Sequence, residues 1–226
     1  MNHASADSRV QRVASGKSGP GSGRGQGADV TSSGSKSAKL FGDLFRNIDP
    51  DKRLRVLEIG RAHSETVNFF SSYKCRLRFA DLYSNTNLIE GQARHSEAEL
   101  SVGFRKALDI PRDEKFDLLL LWDIMQYLSA SSIRALCGAL EPHLHSKSKA
   151  HGFGVHSILT PCERAEYSVI GLTEFRMKKG HQADFQYLPH PQAELSGLLT
   201  VFKIERALLM GDGSVEMLLG AKPYWD

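Results

Sequence analysis

The sequence predicts an α/β fold whose mostly parallel sheet ends in an antiparallel hairpin. From residue 54 to residue 159, strand-like and helix-like segments alternate, which is typical of parallel strands joined by crossover helices. The run FDLLLLWDI is continuously apolar, as expected of a central strand that is covered on both faces. Near the C-terminus an Asp-Gly pair joins two strand-like runs, FKIERALL and SVEMLLGAK, which is a strong hairpin signal.

The first half of the folded part contains two strand–helix units. KLFGDLFRNI has its apolar residues at helical spacing, and RLRVLEIG is typical of a buried strand that ends at a glycine turn. SETVNFFSSY follows as a short helix with Ser64 as its expected N-cap. CRLRFADLY alternates apolar and charged residues, which predicts a strand with one exposed face.

The second half continues the alternation of helices and strands. NTNLIEGQARHSEAEL predicts a weaker helix, and the apolar run FDLLLLWDI predicts the central strand after it. SASSIRALCGALEPHLHS predicts a helix that begins at a serine cluster, and HGFGVHSIL predicts another strand. The GDGS turn then closes the terminal hairpin, for which Gly213 is expected to have positive φ.

Residues 1–38 differ in composition from the rest of the chain. They contain no Leu, Ile, Phe, Tyr or Trp and are rich in Gly and Ser. Such a segment buries too little apolar area to offset the entropy of ordering, so we predict a disordered basic tail over 1–38 and one domain over 39–226. The net charge of +3 lies wholly in this tail, and the neutral body carries no sequence footprint for nucleic acid.

The composition also excludes several classes of protein. No run approaches the roughly 20 apolar residues of a membrane helix, and the N-terminus lacks the apolar segment of a signal peptide. The three cysteines, Cys75, Cys137 and Cys162, are widely spaced, which disfavours a disulfide framework or a zinc site. We therefore expect a cytoplasmic protein with reduced thiols, no metal and no membrane partner.

Three features predict a ligand site at the carboxyl edge of the sheet. The first strand ends in Glu58 and turns through Gly60, and the next strand ends in Asp81, 21 residues after that glycine. An acid at this spacing commonly accepts hydrogen bonds from the two hydroxyls of a ribose. The central strand ends at Trp122, and ligands of open α/β sheets bind at that edge.

These segments together resemble the class I S-adenosylmethionine-dependent methyltransferases. VLEIGRAHS is similar to their glycine-rich first motif, FADLYS to the second and ALDIP to the segment near the adenine. KFDLLLLWDIMQYLS resembles their fourth motif, and the terminal runs resemble the hairpin that separates this fold from dehydrogenases. The resemblance covers residues 40–222 and implies a Rossmann-like three-layer sandwich.

The resemblance also implies a cofactor, S-adenosyl-L-methionine, and a set of cofactor-binding residues. Carried over position by position, these are Glu58, Gly60, Ala62, Asp81, Leu82, Asp109 and Trp122. No catalytic residue and no methyl acceptor is implied, because the sequence contains no acceptor-specific motif such as Asn-Pro-Pro-Tyr.

The glycine-rich loop departs from the pattern of this family. Ala62 and Ser64 stand where the family has glycines, and a Cβ is a serious obstacle only where φ must be positive. Arg61 either pairs with a carboxylate or points to solvent. Structural roles remain open for other predicted positions: a strand-end cap for Glu58, a turn acid for Asp109, a core position for Trp122, helix packing for Tyr127, and an ordinary core or surface histidine rather than a base for His156.

Three functions are compatible with these observations. The first is S-adenosylmethionine-dependent methyl transfer to an unidentified acceptor. The second is a catalytically inactive methyltransferase-like domain that acts as a binding or scaffold protein, for which the altered loop is the argument. The third, a nicotinamide-dependent dehydrogenase, is disfavoured by the terminal hairpin.

Overall fold

The computed structural model of the chain describes residues 33–46, 48–161, 164–179 and 185–222. Within these ranges there are nine strands and five α-helices. The strands are β1 (Ser33–Ser37), β2 (Leu54–Ile59), β3 (Cys75–Ala80), β4 (Leu118–Trp122), β5 (Lys149–Val155), β6 (Ala165–Gly171), β7 (Glu174–Lys179), β8 (Phe202–Leu209) and β9 (Ser214–Ala221). The helices are α1 (Ser64–Phe70), α2 (Thr86–Glu90), α3 (Glu97–Leu108), α4 (Ala130–Leu140) and α5 (Gln192–Leu198).

The central sheet has six strands in the order β3-β2-β4-β5-β9-β8. The first four are parallel, and β9 runs antiparallel to both of its neighbours. This confirms the predicted α/β class and the central position of the apolar run, and the alternating strand β3 lies at the edge of the sheet. It is the Rossmann-like fold with a C-terminal antiparallel hairpin that the methyltransferase resemblance implies.

The hairpin of β8 and β9 turns as the Asp-Gly pair predicts. Gly213 has φ of 82°, a left-handed conformation that suits glycine. The Gly213 N–H donates to the Met210 carbonyl at 3.0 Å, which closes the turn. The tip of the hairpin also contacts the end of β5, because the His156 N–H donates to the Gly213 carbonyl at 3.3 Å.

A second sheet, of order β1-β7-β6, was not predicted from the sequence. It is antiparallel, and β1 pairs with β7 from Ser33 to Ser37. The predicted tail boundary at residue 38 is therefore wrong for residues 33–38, since Lys36 and Ala38 are buried. Lys36 Nζ donates to Ser214 Oγ at 2.8 Å and pairs with Asp212, so polar partners in the hairpin turn hold a segment without large apolar residues. The predicted disorder of 1–32 falls outside the described residues.

The six-stranded sheet separates two hydrophobic cores. One contains Leu57 and Leu119 with the inner faces of α3, α4 and α5. The other contains Val56 and Leu120 with α1, a 3₁₀ helix over Phe41–Phe45 and the small sheet. Three layers are thus present as predicted, but one outer layer consists largely of strands.

Local expectations for the helices need three corrections. Within KLFGDLFRNI the helical part is a 3₁₀ helix over Phe41–Phe45. The single helix expected over residues 85–100 is two α-helices, the second continuing to Leu108. Ser96 and Glu99 form a capping box that starts α3. His63 is the N-cap of α1, so Ser64 is the first helical residue and not the cap.

The described residues contain two of the three cysteines, and both are reduced. Cys75 and Cys137 are free thiols, and Cys162 lies outside those residues. In the same part of the chain no helix combines the length and the hydrophobicity that crossing a bilayer requires, and no cluster of side chains is suited to a metal ion.

Candidate functional site

The carboxyl ends of β2, β3 and β4 meet at a narrow crevice. Three of the predicted cofactor-binding residues, Gly60, Asp81 and Trp122, line it together. Its other lining residues are Arg61, His63 and Tyr83 from the same edge and Arg164, Ala165, Glu166 and Tyr167 from the start of β6. The crevice therefore lies between the edge of the large sheet and the entry into the small one.

Asp81 is placed as the spacing predicts, at the mouth of the crevice directly after β3. Its carboxylate accepts a hydrogen bond from the Ser84 backbone N–H at 3.1 Å and starts a short 3₁₀ helix over Leu82–Ser84. Arg61 Nε lies 3.8 Å from its Oδ2, and about a quarter of the Asp81 side chain is exposed. Asp81 is accessible to hydrogen-bond donors, but part of its accepting capacity is already used.

Glu58 lies beneath the crevice and not on its wall. The Trp122 indole Nε1 donates to Glu58 Oε1 at 3.1 Å, and Glu58 has no exposed surface. Burial raises the pKa of Glu58 to about 8, against the smaller lowering effect of the Trp122 hydrogen bond. The carboxyl group is therefore protonated at neutral pH and supports Trp122 from below.

Ala62, Leu82 and Asp109 do not line the crevice. Ala62 is exposed on the loop between β2 and α1, and Leu82 is buried in the core beneath α3. Asp109 is exposed at the C-cap of α3 with φ of 46°, and its backbone carbonyl accepts from Arg78. A short acidic side chain tolerates this left-handed conformation, so Asp109 is a helix-ending turn residue here.

Trp122 joins the crevice to the small sheet. Its indole stacks on the Tyr167 ring with centroids 5.3 Å apart and planes 11° apart. Its φ of 49° is rare for a bulky residue and coincides with a shift in the β4–β5 register between Leu120 and Trp122. Such a conformation persists only where surrounding contacts hold it. Trp122 is thus both the core residue and the crevice wall that the sequence left as alternatives.

Side chains of β6 fill the crevice. Glu166 Oε1 lies 3.9 Å from Arg61 Nη1, and Glu166 Oε2 lies 3.6 Å from His63 Nε2. The remaining cavity is about 20 Å³, which is room for about one water molecule. A ligand of drug-like size needs a site of roughly 300 Å³ or more. In this closed arrangement the residues present do not fit S-adenosylmethionine.

A buried polar group adjoins the crevice on the far side of Trp122. Tyr83 Oη donates to Asp123 Oδ1 at 2.6 Å, and Tyr127 Oη lies 3.5 Å from Asp123 Oδ2. Burial raises the pKa of Asp123 to about 6, and the bond from Tyr83 opposes that rise. Because Tyr83 also lines the crevice, its hydrogen bond connects Asp123, which titrates near neutral pH, to the crevice wall. Tyr127 is buried beneath it, as the packing interpretation expects.

Two further histidines, one on β5 and one directly after it, lie away from the crevice. His151 is fully buried on β5, and its Nε2 lies 3.0 Å from Glu216 Oε1. Glu216 also accepts the backbone N–H groups of Lys39, Leu40 and Phe41, so the pair anchors the 3₁₀ helix that precedes β2. His156 is exposed after β5 and does not line the crevice.

Sequence reasoning missed the contribution of β6. Glu166 and Tyr167 belong to no motif of the family pattern, and their part in the crevice depends on the small sheet folding over the large one. The alternation in AEYSVIG is a strand signal that was available. It gives no indication of which surface the strand covers.

No protein-family model and no curated protein matches the sequence. Solved structures do match. The pyocyanin biosynthetic protein PhzM is 13% identical, with 81% of this chain and 54% of that chain covered at a TM-score of 0.46. The glycopeptide N-methyltransferase MtfA bound to S-adenosyl-L-homocysteine is 10% identical, with 82% of this chain and 91% of that chain covered at a TM-score of 0.44. A TehB-like SAM-dependent methyltransferase from Corynebacterium glutamicum is 12% identical, with 81% of this chain and 89% of that chain covered at a TM-score of 0.45.

The chain spans about half the length of PhzM and of the mitomycin 7-O-methyltransferase MmcR. At these identities the likeness concerns the fold alone.

Proposed function

We propose that this chain is an S-adenosylmethionine-dependent methyltransferase that binds its cofactor at the crevice of β2, β3 and β4. The observation that carries the proposal is the position of Asp81 beside the Gly60 turn, in a sheet that ends in the antiparallel hairpin. A carboxylate at the end of this strand accepts hydrogen bonds from both hydroxyls of a ribose. The methyl acceptor and the catalytic residues are left unassigned.

The proposal requires an open arrangement of the crevice. Closed, it has about 20 Å³ of free volume and admits no cofactor. Opening requires Glu166 and Tyr167 to leave the positions that they occupy beside Arg61 and Trp122. The contact of Glu166 with Arg61 is 3.9 Å long and the guanidinium is about half exposed, so its loss costs little.

The second candidate is a methyltransferase-like domain without catalysis that serves as a binding or scaffold protein. The observation that favours it is the filled crevice, in which Tyr167 covers the Trp122 ring. For this candidate the closed arrangement is permanent and no S-adenosyl ligand binds. The cytoplasmic location and the absence of a nucleic-acid partner stay predictions from the sequence.

Titration calorimetry with S-adenosylhomocysteine distinguishes the two candidates. We expect the unmodified chain to bind and Asp81→Asn to weaken binding about tenfold or more, since a hydrogen bond to a charged group is worth about 1.5–3 kcal/mol. Asp109→Asn is the matched control, because Asp109 is exposed away from the crevice and Asn also tolerates its left-handed φ.

The result that rules out methyl transfer is an absence of binding at millimolar ligand in every one of these proteins. Binding that Asp81→Asn leaves unchanged would remove Asp81 from the site. A parallel titration with NAD tests the dehydrogenase alternative, for which we expect no heat of binding.

A further inference from the structure

We infer that Glu166 and Tyr167 act as an internal stand-in for the ligand, so that a molecule carrying a planar ring and a carboxylate opens the crevice by replacing them. This inference rests on the proposed function and adds to it the chemical class that the closed site selects. It concerns side chains within β6 that the sequence did not connect with the crevice.

The carboxylate of Glu166 occupies the polar part of the crevice, beside one guanidinium and one imidazole. Arg61 and His63, both on the loop that follows β2, face it from one side at 3.9 and 3.6 Å. His63 and Glu166 are mostly buried, and Arg61 is about half exposed. A ligand carboxylate that enters from solvent can bind the same two residues, Arg61 and His63, and it contacts the exposed Arg61 guanidinium first.

The ring of Tyr167 occupies the aromatic part. It lies nearly parallel to the Trp122 indole, and its stacking partner on β5 is Phe153, with centroids 5.4 Å apart. Trp122 is held by the bond from its Nε1 to Glu58, so its ring is a fixed wall against which either Tyr167 or a ligand ring can stack.

Arg61 lies between Glu166 and Asp81, the residue that is proposed to hold the ribose. Its Nε lies 3.8 Å from Asp81 Oδ2, while its Nη1 faces Glu166. When a ligand carboxylate holds Arg61, Asp81 is released to accept hydroxyl groups. S-Adenosylhomocysteine combines a ring, hydroxyls and a carboxylate, whereas 5′-methylthioadenosine has the ring and hydroxyls without the carboxylate.

Internal competition lowers the apparent affinity of any ligand by the fraction of chains that are open. Glu166→Gln removes the charge that holds the closed arrangement and keeps the size of the side chain. If about one chain in ten is open, this variant binds S-adenosylhomocysteine and 5′-methylthioadenosine roughly tenfold more tightly than the unmodified chain. Glu174→Gln, an exposed glutamate at the start of β7, is the matched control and should change neither affinity.

Arg61→Gln tests whether Glu166 takes the place of a ligand carboxylate or only blocks the crevice. It also releases Glu166, so 5′-methylthioadenosine should bind more tightly. S-Adenosylhomocysteine should gain less or nothing, because its carboxylate loses a partner. The affinities are measured by calorimetry, and thermal unfolding of each variant confirms that it is folded.

Three outcomes overturn the inference. If the unmodified chain binds S-adenosylhomocysteine and Glu166→Gln binds it equally, the inference fails and the proposed function stands. If Arg61→Gln changes both affinities by the same factor, the carboxylate has no part in opening. If no variant binds either ligand, the inference and the proposed function fail together.

Discussion

Glu58 shows how one buried carboxyl group shapes the candidate site. It sits under the Trp122 indole with no exposed surface, and burial raises its pKa to about 8. Hydrogen bonds from Trp122 and Thr66 lower the pKa but do not offset the effect of burial, since a buried carboxyl group costs far more when it is ionised than when it is neutral. The position of Trp122 in the crevice wall therefore depends on Glu58 remaining protonated.

This proton makes stability depend on pH. The folded pKa of about 8 lies above the ordinary value of 4.5, so between these values the folded chain retains a proton that the unfolded chain releases. The free energy of unfolding then falls as pH rises through this window, by at most about 1.4 kcal/mol per pH unit. Because the folded group is itself half deprotonated at pH 8, the loss from pH 7 to pH 8 is about 1 kcal/mol, and we expect the melting temperature to drop by roughly 2–4 °C.

Glu58→Gln should remove that drop, because glutamine keeps the acceptor for Trp122 and does not ionise. The range above pH 7 isolates Glu58, since the pKa of Asp123 is about 6 and burial lowers the pKa values of His63 and His151. Scanning calorimetry at both pH values is the measurement, with Glu174→Gln as control. Parallel curves for Glu58→Gln and the unmodified chain would contradict the assignment.

Ala62 bears on whether the altered glycine loop excludes a cofactor. Among the described residues, the non-glycine residues with positive φ are Asp109 and Trp122, so Ala62 has an ordinary negative φ. Its Cβ therefore causes no backbone strain. We expect Ala62→Gly to leave the affinity for S-adenosylhomocysteine unchanged and to lower the free energy of unfolding by about 0.4–1 kcal/mol. Tighter binding by calorimetry would show that the loop restricts the site.

At the scale of elements, the β8–β9 hairpin has a turn that requires glycine. Gly213 has φ of 82°, and a Cβ added there would lie 3.0 Å from Thr160 Cγ2. Gly213→Val should lower the free energy of unfolding by more than the roughly 1 kcal/mol typical of point mutants. Gly211→Val is the control in the same turn, because Gly211 has neither positive φ nor an atom within 4 Å of an added Cβ. Equal denaturant midpoints for the two variants would argue against strain at Gly213.

The hairpin also explains why β1 is ordered. Its turn supplies Asp212 and Ser214 to Lys36, and the Lys36 ammonium lies 4.8 Å from the centre of the Phe153 ring. Phe153 in turn stacks on Tyr167. A polar strand is thus connected through two contacts to the aromatic wall of the crevice.

At the scale of the molecule, the small sheet completes the second core of the folded unit. β1 supplies pairing with β7 and a buried lysine, and Ala38 after it is buried. A chain that starts at residue 39 should therefore melt at least 2–4 °C below one that starts at residue 33, which corresponds to about 1 kcal/mol for a domain of this size. Identical melting temperatures by calorimetry would show that β1 contributes nothing.

The central sheet could be predicted because its signals are local. The continuous apolar run, the acid at the end of β3 and the Asp-Gly turn each depend on residues close together in the chain, and their order specifies the strand arrangement. Gly60, Asp81 and Trp122 were correctly placed at one edge, since the carboxyl ends of parallel strands share that edge.

The filling of that edge depends on contacts between residues far apart in the chain. The whole of α4 and of β5 lies between Trp122 and Tyr167 in the chain, and nothing local to either residue indicates that they stack. The same holds for Lys36 with Asp212 and for Glu166 with Arg61. Local pattern thus predicted the position of the crevice, and long-range packing determined its volume, because side-chain burial is a property of the assembled layers.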